Sequence, residues 1–377
     1  MAAAFPVHYA LSQEASSAPA DPLFSDIRND LRPDLPRRRI TIPDVADDGK
    51  QYKVLKGDFH IHTLFSDGHV MPRVRVQEAV RNGFDCISIT DHIEHRPFIG
   101  GNGFKLAEQN DDHNIAYTVA KPAADESNLI LVPGTEITKR TMPPGHFNAI
   151  FVKDVNPIAA VVDDWKTMLA VAAEQGAFVV WNHPGWVAPN SGGLVAGTPM
   201  SFTDEHEDVR KKGHLHGIEV FNHTSHYPIV SDWCNERNLG MIASSDVHQS
   251  ELHEYGVRNL RRPITLVLAE ERSEASIREA FFAHRTIGWV FDRIFGRPHW
   301  VAKLFTACVE TNVSGENVTF KNKSDIPMDL QVRETKYALP PQGEVAVAYS
   351  DGGILIVTNW FVGTFKPLEI PMQTLKR

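Results

Sequence analysis

Residues 57–68 read GDFHIHTLFSDG, the end of a strand-like run, YKVLKGDFHIH, passing into a turn. His60 and His62 are two apart, so on a strand both side chains face the same way. Asp67 follows in the turn. Three such groups at the end of a buried strand each cost free energy unless something satisfies them. The arrangement recurs downstream. His92 ends CISITDH, Glu136 ends LVPGTE, His146 opens HFNAIFV and His183 lies in VVWNHP; Asp246 and His248, again two apart, close MIASSDVH.

The segments between these residues define the architecture. From residue 53 the strand-like runs FDCISIT, NLILVPGTEI, HFNAIFV, AFVVWNH, GIEVFN and LGMIASSD alternate with helical patterns. Examples are PRVRVQEAVRNG, which Gly83 stops, DWKTMLAVAAEQG and IVSDWCNERNLG. This βαβα rhythm predicts an α/β architecture with a largely parallel sheet, open or closed into a barrel. Such folds build active sites at the carboxyl ends of their strands, where the polar groups fall. The long connection from Thr90 to Leu129, with GGNGFKLAEQNDDHN inside it, reads as a lid or binding loop. Residues 1–52, rich in Pro, Ala, Asp and Arg, read as an extended N-terminal arm, and 53–299 as the main domain. Residues 300–377 carry alternating β-branched runs (VTFKN, MDLQVRE, EVAVAY, GILIVTNWFV), which predict a small all-β, antiparallel C-terminal domain without helix.

Composition narrows the function classes. With 377 residues and 42% hydrophobic content the chain can bury a sizeable core. A net charge of −9 argues against sequence-blind binding of long nucleic acid, which needs a basic face, while action on short oligonucleotides stays open. No apolar run is long enough to span a membrane. The first residues lack a basic n-region and a long apolar h-region, so a cytoplasmic location is expected, or a periplasmic one if a signal peptide has been removed. Cys86, Cys234 and Cys308 are far apart, which suits neither a disulfide framework nor a thiolate metal site. Imidazoles and carboxylates without thiolates are the ligand set favoured by zinc, manganese and iron at open, catalytic sites.

On DFHIHTLFSDG, ISITDH, PGTEIT and SSDVH, with the histidines of HFNAIFV and NHP between them, the chain resembles the PHP (polymerase and histidinol phosphatase) family of metal-dependent phosphoesterases. The resemblance covers roughly residues 53–290 and fills every ligand position. It implies a distorted (β/α)7 barrel and two to three divalent transition metals (Mn, Zn or Fe). One metal would take His60, His62, Glu136 and Asp246; a second would share Glu136 and add His146 and His183; a third would take Asp67, His92 and His248. Two metals about 3.5–4 Å apart share a hydroxide and lower its pKa enough for attack on phosphorus. Glu136, Asp246 and His248 are thus the catalytic candidates, the last two (or water) also for protonating the leaving group. The long loop and the C-terminal β domain resemble a phosphodiesterase-like branch.

Other residues are candidates for holding substrate. His95 and Arg96 open the long loop, Lys139 and Arg140 follow Glu136, and Glu219, Asn222 and His223 lie at another strand end, all placed to contact a phosphoester. Asp91 reads either as orienting His92 or as a turn residue. His214 and His216 precede their strand and fall on the opposite rim, while His69, His206, His253 and His299 read as solvated or structural. Trp181 and Trp186 read as core, with Trp186 alternatively facing an organic leaving group. The expectation is hydrolysis of small phosphate esters, diesters favoured because few cations accompany the site motifs. The alternatives are a phosphomonoesterase of the histidinol phosphate or nucleotide type, a metal-dependent amidohydrolase, and a non-catalytic module.

Overall fold

The computed structural model describes residues 39–97, 112–137, 145–188, 190, 193–258 and 260–375. Strands β1 (Val45–Asp47) and β2 (Lys50–Asp58) form an antiparallel hairpin, with Val45 opposite Tyr52. Its turn residues Asp48 and Gly49 both have positive φ, 48° and 78°, the backbone that Asp-Gly adopts in a two-residue hairpin turn. The arm expected over 1–52 therefore ends earlier: residues 45–52 belong to the sheet, and residues 1–38 lie outside the described residues.

The apolar runs become short strands: β3 (Cys86–Ile89), β4 (Ile130–Ile137), β5 (Phe147–Ile150), β6 (Phe178–Trp181), β7 (Gly217–Asn222), β8 (Ser225–His226) and β9 (Gly240–Ser244). Every residue of β3, β5, β6, β7 and β9 is buried, as expected of strands covered on both faces. Their spatial order is β2-β3-β4-β5-β6-β7-β9, with β2/β3, β3/β4, β6/β7 and β7/β9 parallel. Strand β5 is antiparallel to both neighbours. The link from Ile137 to Phe147 explains this, being shorter than the crossover of about a dozen residues or more that a parallel pair needs. Beyond β9 an isolated parallel bridge joins Val247 to Ile61.

On the other side of β2 lie β10 (Ile264–Ala269), β11 (Thr286–Val290) and β12 (Arg293–Gly296), each antiparallel to the strand before it in that order. Helices pack outside, among them α1 (Pro72–Arg81), α2 (Trp165–Glu174), α3 (Pro228–Arg237), α4 (Glu251–Glu254) and α5 (Glu274–Phe282). Proline opens α1 where its missing N–H costs nothing, and Gly83 (φ 79°) ends it in the left-handed region. One apolar cluster takes Leu55, Cys86, Val132, Ile150, Phe178 and Ile242 from six of the strands and closes on Phe281 of α5. Among the described residues no helix is long and apolar enough to cross a membrane.

The C-terminal stretch differs from its reading as helix-free. It opens with helix α6 (Pro298–Cys308), whose buried Val301, Leu304 and Phe305 supply an apolar face that the strand-like texture downstream obscured. Of the strands that follow, β13 (Val309–Ser314), β14 (Asn317–Asn322) and β17 (Glu344–Ala348) form a small antiparallel sheet. Strands β15 (Met328–Val332), β16 (Thr335–Leu339), β18 (Ile354–Gly363) and β19 (Lys366–Pro371) instead extend the central sheet, because β18 pairs in parallel with β12, Ile294 opposite Trp360. The described residues from Arg39 onward pack as one compact unit. Trp360 is fully buried and meets Phe305 edge-on at 6.0 Å. Trp360→Ala should therefore lower stability by about 3–5 kcal/mol within a single cooperative transition in urea. Two separate transitions would show the C-terminal strands to be an independent unit.

Candidate metal centre

The end of β2 delivers His60 and His62, both fully buried. The chain then turns back on itself: the Gly68 amide donates to the Thr63 carbonyl at 3.0 Å. A Cβ at position 68 would fall 2.5 Å from the carbonyl carbon of His62, so the turn needs glycine there. That fold-back sets Asp67 opposite two histidines from other elements, Oδ2 3.4 Å from His92 Nε2 and Oδ1 3.3 Å from His248 Nε2. Asp91 serves this turn rather than His92. It accepts from the Thr63 amide (2.6 Å), the Thr63 hydroxyl (2.5 Å) and the Ser66 hydroxyl (2.6 Å).

Glu136, from β4, is the hub. Its Oε2 lies 2.9 Å from His92 Nδ1, 3.3 Å from His62 Nε2 and 3.4 Å from His60 Nε2. Its Oε1 lies 3.1 Å from His146 Nδ1 and 3.6 Å from His183 Nε2, and accepts a hydrogen bond from Asn182 at 2.8 Å. His146 precedes its strand, yet reaches the same rim as residues that follow theirs, because β5 runs the opposite way. Asp246 Oδ1 completes the floor, 3.0 Å from His62 Nε2 and 3.2 Å from His60 Nε2. Asp246 (φ 53°) and His183 (φ 25°) both hold left-handed backbone, a strain that persists where surrounding contacts impose it.

All nine residues singled out at the strand ends thus meet in one place. Their donor atoms converge to within 4.8 Å in four overlapping groups: His62–Asp67–His92–His248, His60–His62–Asp246, His60–Glu136–His183 and His92–Glu136–His146. The grouping departs from the expected one: His146 and His183 fall in separate groups, and His60 joins His183 at Glu136. His62 also turns its Nδ1 to Asp67 Oδ1, at 3.5 Å, and His92 also faces Glu136.

The electrostatics follow from packing opposite charges without water. Burial works against charge on Glu136, yet His92, His60 and the hydrogen bond with His146 hold its carboxyl well below the usual carboxylate range. Burial also opposes protonation of His60 and His92, but Asp246 and Glu219 around the first, and Glu136 and Asp67 around the second, push both well above the usual imidazole value. His248 is driven up to about 9, as the hydrogen bond to Asp67 and the charge of Asp246 outweigh burial. His62 goes to about 4, since burial and the neighbouring His248 and His92 disfavour its charge.

The residues fit divalent cations. Glu136 Oε2 and Asp246 Oδ1 are buried without a hydrogen-bond partner among the described residues, a costly condition for carboxylate oxygens. Both point where His60 Nε2 and His62 Nε2 converge, 3.1 Å apart. Behind His60, Glu219 Oε1 lies 2.8 Å from Nδ1, which leaves Nε2 as the ligating nitrogen, and its Oε2 accepts from the His183 amide (2.7 Å) and Asn222 (2.8 Å). Glu219 is therefore a fully buried support for two of the histidines, not the pocket lining expected from sequence.

Beside Asp246 and His248 opens a cleft of about 430 Å³, lined further by Trp186, Asn222, His223, Tyr227, Gln249 and Arg258. Asn222 and His223 are thus brought to the site. His95 is half exposed, with Nε2 3.9 Å from Asp67 Oδ2. Arg96 is turned to the Phe65 carbonyl (3.2 Å) and the His113 ring (3.5 Å). Lys139 and Arg140 lie outside the described residues. Trp181 is core, but Trp186 is 38% exposed and stands edge-on to His146 and His183. His216 accepts from the Val179 amide near the start of β6, on the opposite rim as expected. Arg258 and Gln249 were missed, having no motif beyond their nearness to the Asp246–His248 pair.

A buried nest of imidazoles and carboxylates at one rim of a mixed α/β sheet defines the class as a metal-dependent enzyme fold. The chain is 35% identical to a two-domain protein from Bacteroides vulgatus containing a predicted PHP-like metal-dependent phosphoesterase, covering 89% of this chain and 98% of that one, with a TM-score of 0.78. It belongs to the PHP-like metal-dependent phosphoesterase family. Two weaker likenesses carry no argument: an amidohydrolase from Chromobacterium violaceum (12% identity, 52% of this chain, 88% of that one, TM-score 0.38) and a lesion-specific endonuclease from Pyrococcus furiosus (12%, 65%, 59%, 0.43). No family model and no curated protein matches the sequence.

Because Glu219 orients His60 and the His183 turn together, Glu219→Gln should weaken retention of divalent metal by about 10–100-fold with the fold intact. Titration of the chelator-stripped chain with Mn²⁺ checks this, and unchanged affinity would remove Glu219 from the support of the centre.

Proposed function

We propose that this PHP-type phosphoesterase hydrolyses small phosphodiesters in preference to monoesters, at two to three divalent cations held by His60, His62, Asp67, His92, Glu136, His146, His183, Asp246 and His248. Manganese, zinc and iron all suit that nitrogen and oxygen set. Bound there, such cations polarise a phosphoryl oxygen and lower the pKa of water to near neutrality.

The observation that carries the diester reading is the make-up of the cleft. Among the described residues lining it, Arg258 is the one permanently cationic side chain, while Glu254 adds negative charge. A dianionic monoester gains from several cations beyond the metals; a monoanionic diester needs fewer. The exposed face of Trp186 offers a surface for the second organic substituent, and Asn222 and His223 offer polar contacts beside it. His248 Nδ1 lies 2.8 Å from the Asp246 carbonyl, so Nε2 is the atom turned to the centre. With His248 Nδ1 on that carbonyl and Nε2 and the ionised Asp246 turned to the cations, water in the cleft is left as the donor of the leaving group's proton. The bridge between Ile61 and Val247 and the apolar cluster shared by six strands support a closed, distorted seven-stranded barrel beneath the site.

Paired assays of the metal-loaded chain on p-nitrophenyl phosphate and bis(p-nitrophenyl) phosphate should give the higher kcat/KM for the diester; the reverse order would make it a monoesterase. Asp67→Asn should lower turnover by about 100-fold or more, the upper end of what even a supporting partner costs. Wild-type rates in that variant would remove Asp67 from the metal-holding set.

A further inference from the structure

Helix α1 sends one side chain beneath the centre. Arg75 is fully buried, and all five of its N–H bonds are directed at acceptors. Nε donates to the His62 carbonyl at 2.8 Å. Nη2 donates to the carbonyls of Val247 (3.0 Å) and His248 (2.7 Å), and Nη1 to the Gln249 carbonyl (2.7 Å) and Glu78 Oε2 (2.9 Å). One rigid fork thus ties the end of β2 to three consecutive carbonyls of the loop after β9.

Two of these carbonyls also accept backbone amides, Val247 from His62 at 3.1 Å and His248 from His69 at 2.7 Å, so the fork reinforces a junction that the Ile61–Val247 bridge begins. The loop's other polar groups are also held by side chains. Glu254 Oε1 accepts the amides of His248 (2.9 Å) and Gln249, and Glu78 Oε1 accepts the amide of Glu251 at 2.8 Å. The residues gripped by Arg75 include two members of one donor group, His62 and His248, whose rings stack with centroids 4.2 Å apart. The other two members, Asp67 and His92, face the same gap.

We infer that Arg75 is a positioning residue that sets the distance between the His62 strand end and the His248 loop, and so tunes the His62–Asp67–His92–His248 group for its cation. Lysine does not reproduce it: three donors on one nitrogen cannot make the five bonds that the three nitrogens of the planar fork make. The groups His60–Glu136–His183 and His92–Glu136–His146 contain neither residue of the centre whose backbone the fork holds, whereas His60–His62–Asp246 shares His62 with the tuned group. The inference rests on the reading of the centre as metal-binding, and goes beyond it by assigning one residue outside the centre to one part of it.

The test is calorimetric titration of the chelator-stripped full chain with Mn²⁺, with metal per chain counted after gel filtration, for wild type and Arg75→Lys. The variant should lose one class of Mn²⁺ site, or bind there about tenfold more weakly or worse, while the site built on Glu136 without His62 keeps wild-type affinity. Identical binding accompanied only by a lower Tm would make Arg75 purely structural and overturn the inference, as would equal weakening of every site. Should Arg75→Lys fail to fold, Glu78→Gln, which removes the carboxylate that anchors the fork, decides by the same criterion. A wild-type chain that takes up no Mn²⁺ would overturn the metal reading itself, an outcome separate from the one in which wild type and variant bind alike.

Discussion

A carboxylate with no exposure to solvent sits at one rim of the sheet, and the donors of the centre are gathered around it. Glu136 has five imidazoles within 3.6 Å of its two oxygens, supplied by His60, His62, His92, His146 and His183. Alone in a protein interior such a charge would be neutralised or expelled. Here it is balanced by charge of opposite sign and by one amide, Asn182, and a buried oxygen is left aimed at the converging nitrogens of His60 and His62. A divalent cation meets that requirement better than protons do, because it takes several ligands at once.

Several of the donors are held from behind, through the ring, the turn or the backbone. Glu219 backs His60 and the turn of His183, Asp91 clamps the Thr63–Ser66 turn that aims Asp67, and Arg75 grips the backbone of His62 and His248. These supports come from β7, from the end of β3 and from α1, so the geometry of the centre depends on the packing of elements far apart in sequence. Precision of this kind comes from rigid elements rather than from loops.

Much of this was legible in the residues. The HxH and DxH pairs at same-face spacing, the absence of cysteine ligands and the βαβ rhythm led to all nine donors and to the α/β class. Other features were hidden for identifiable reasons. The Asp-Gly turn at 48–49 was overlooked within a polar stretch, so the hairpin before the first histidines was read as arm. Helix α6 carries apolar side chains at helical spacing but adjoins strand-like runs, and the joining of β18 to β12 depends on a pairing between residues 66 positions apart that no local pattern encodes.

The sequence by itself determined which atoms could bind metal, because imidazole and carboxylate chemistry at strand ends does not depend on topology. Tertiary structure decided how they meet. His146 precedes its strand while the other strand-borne donors lie at or beyond the ends of theirs, and only the reversal of β5 brings it to the same rim. Likewise, Arg75 looks like an ordinary helix residue, and Glu219 like pocket lining, until folding buries them against the donors. The physical reason is that a donor's identity is local chemistry, whereas its partners, burial and direction are set by chain crossings that become defined only when the sheet assembles.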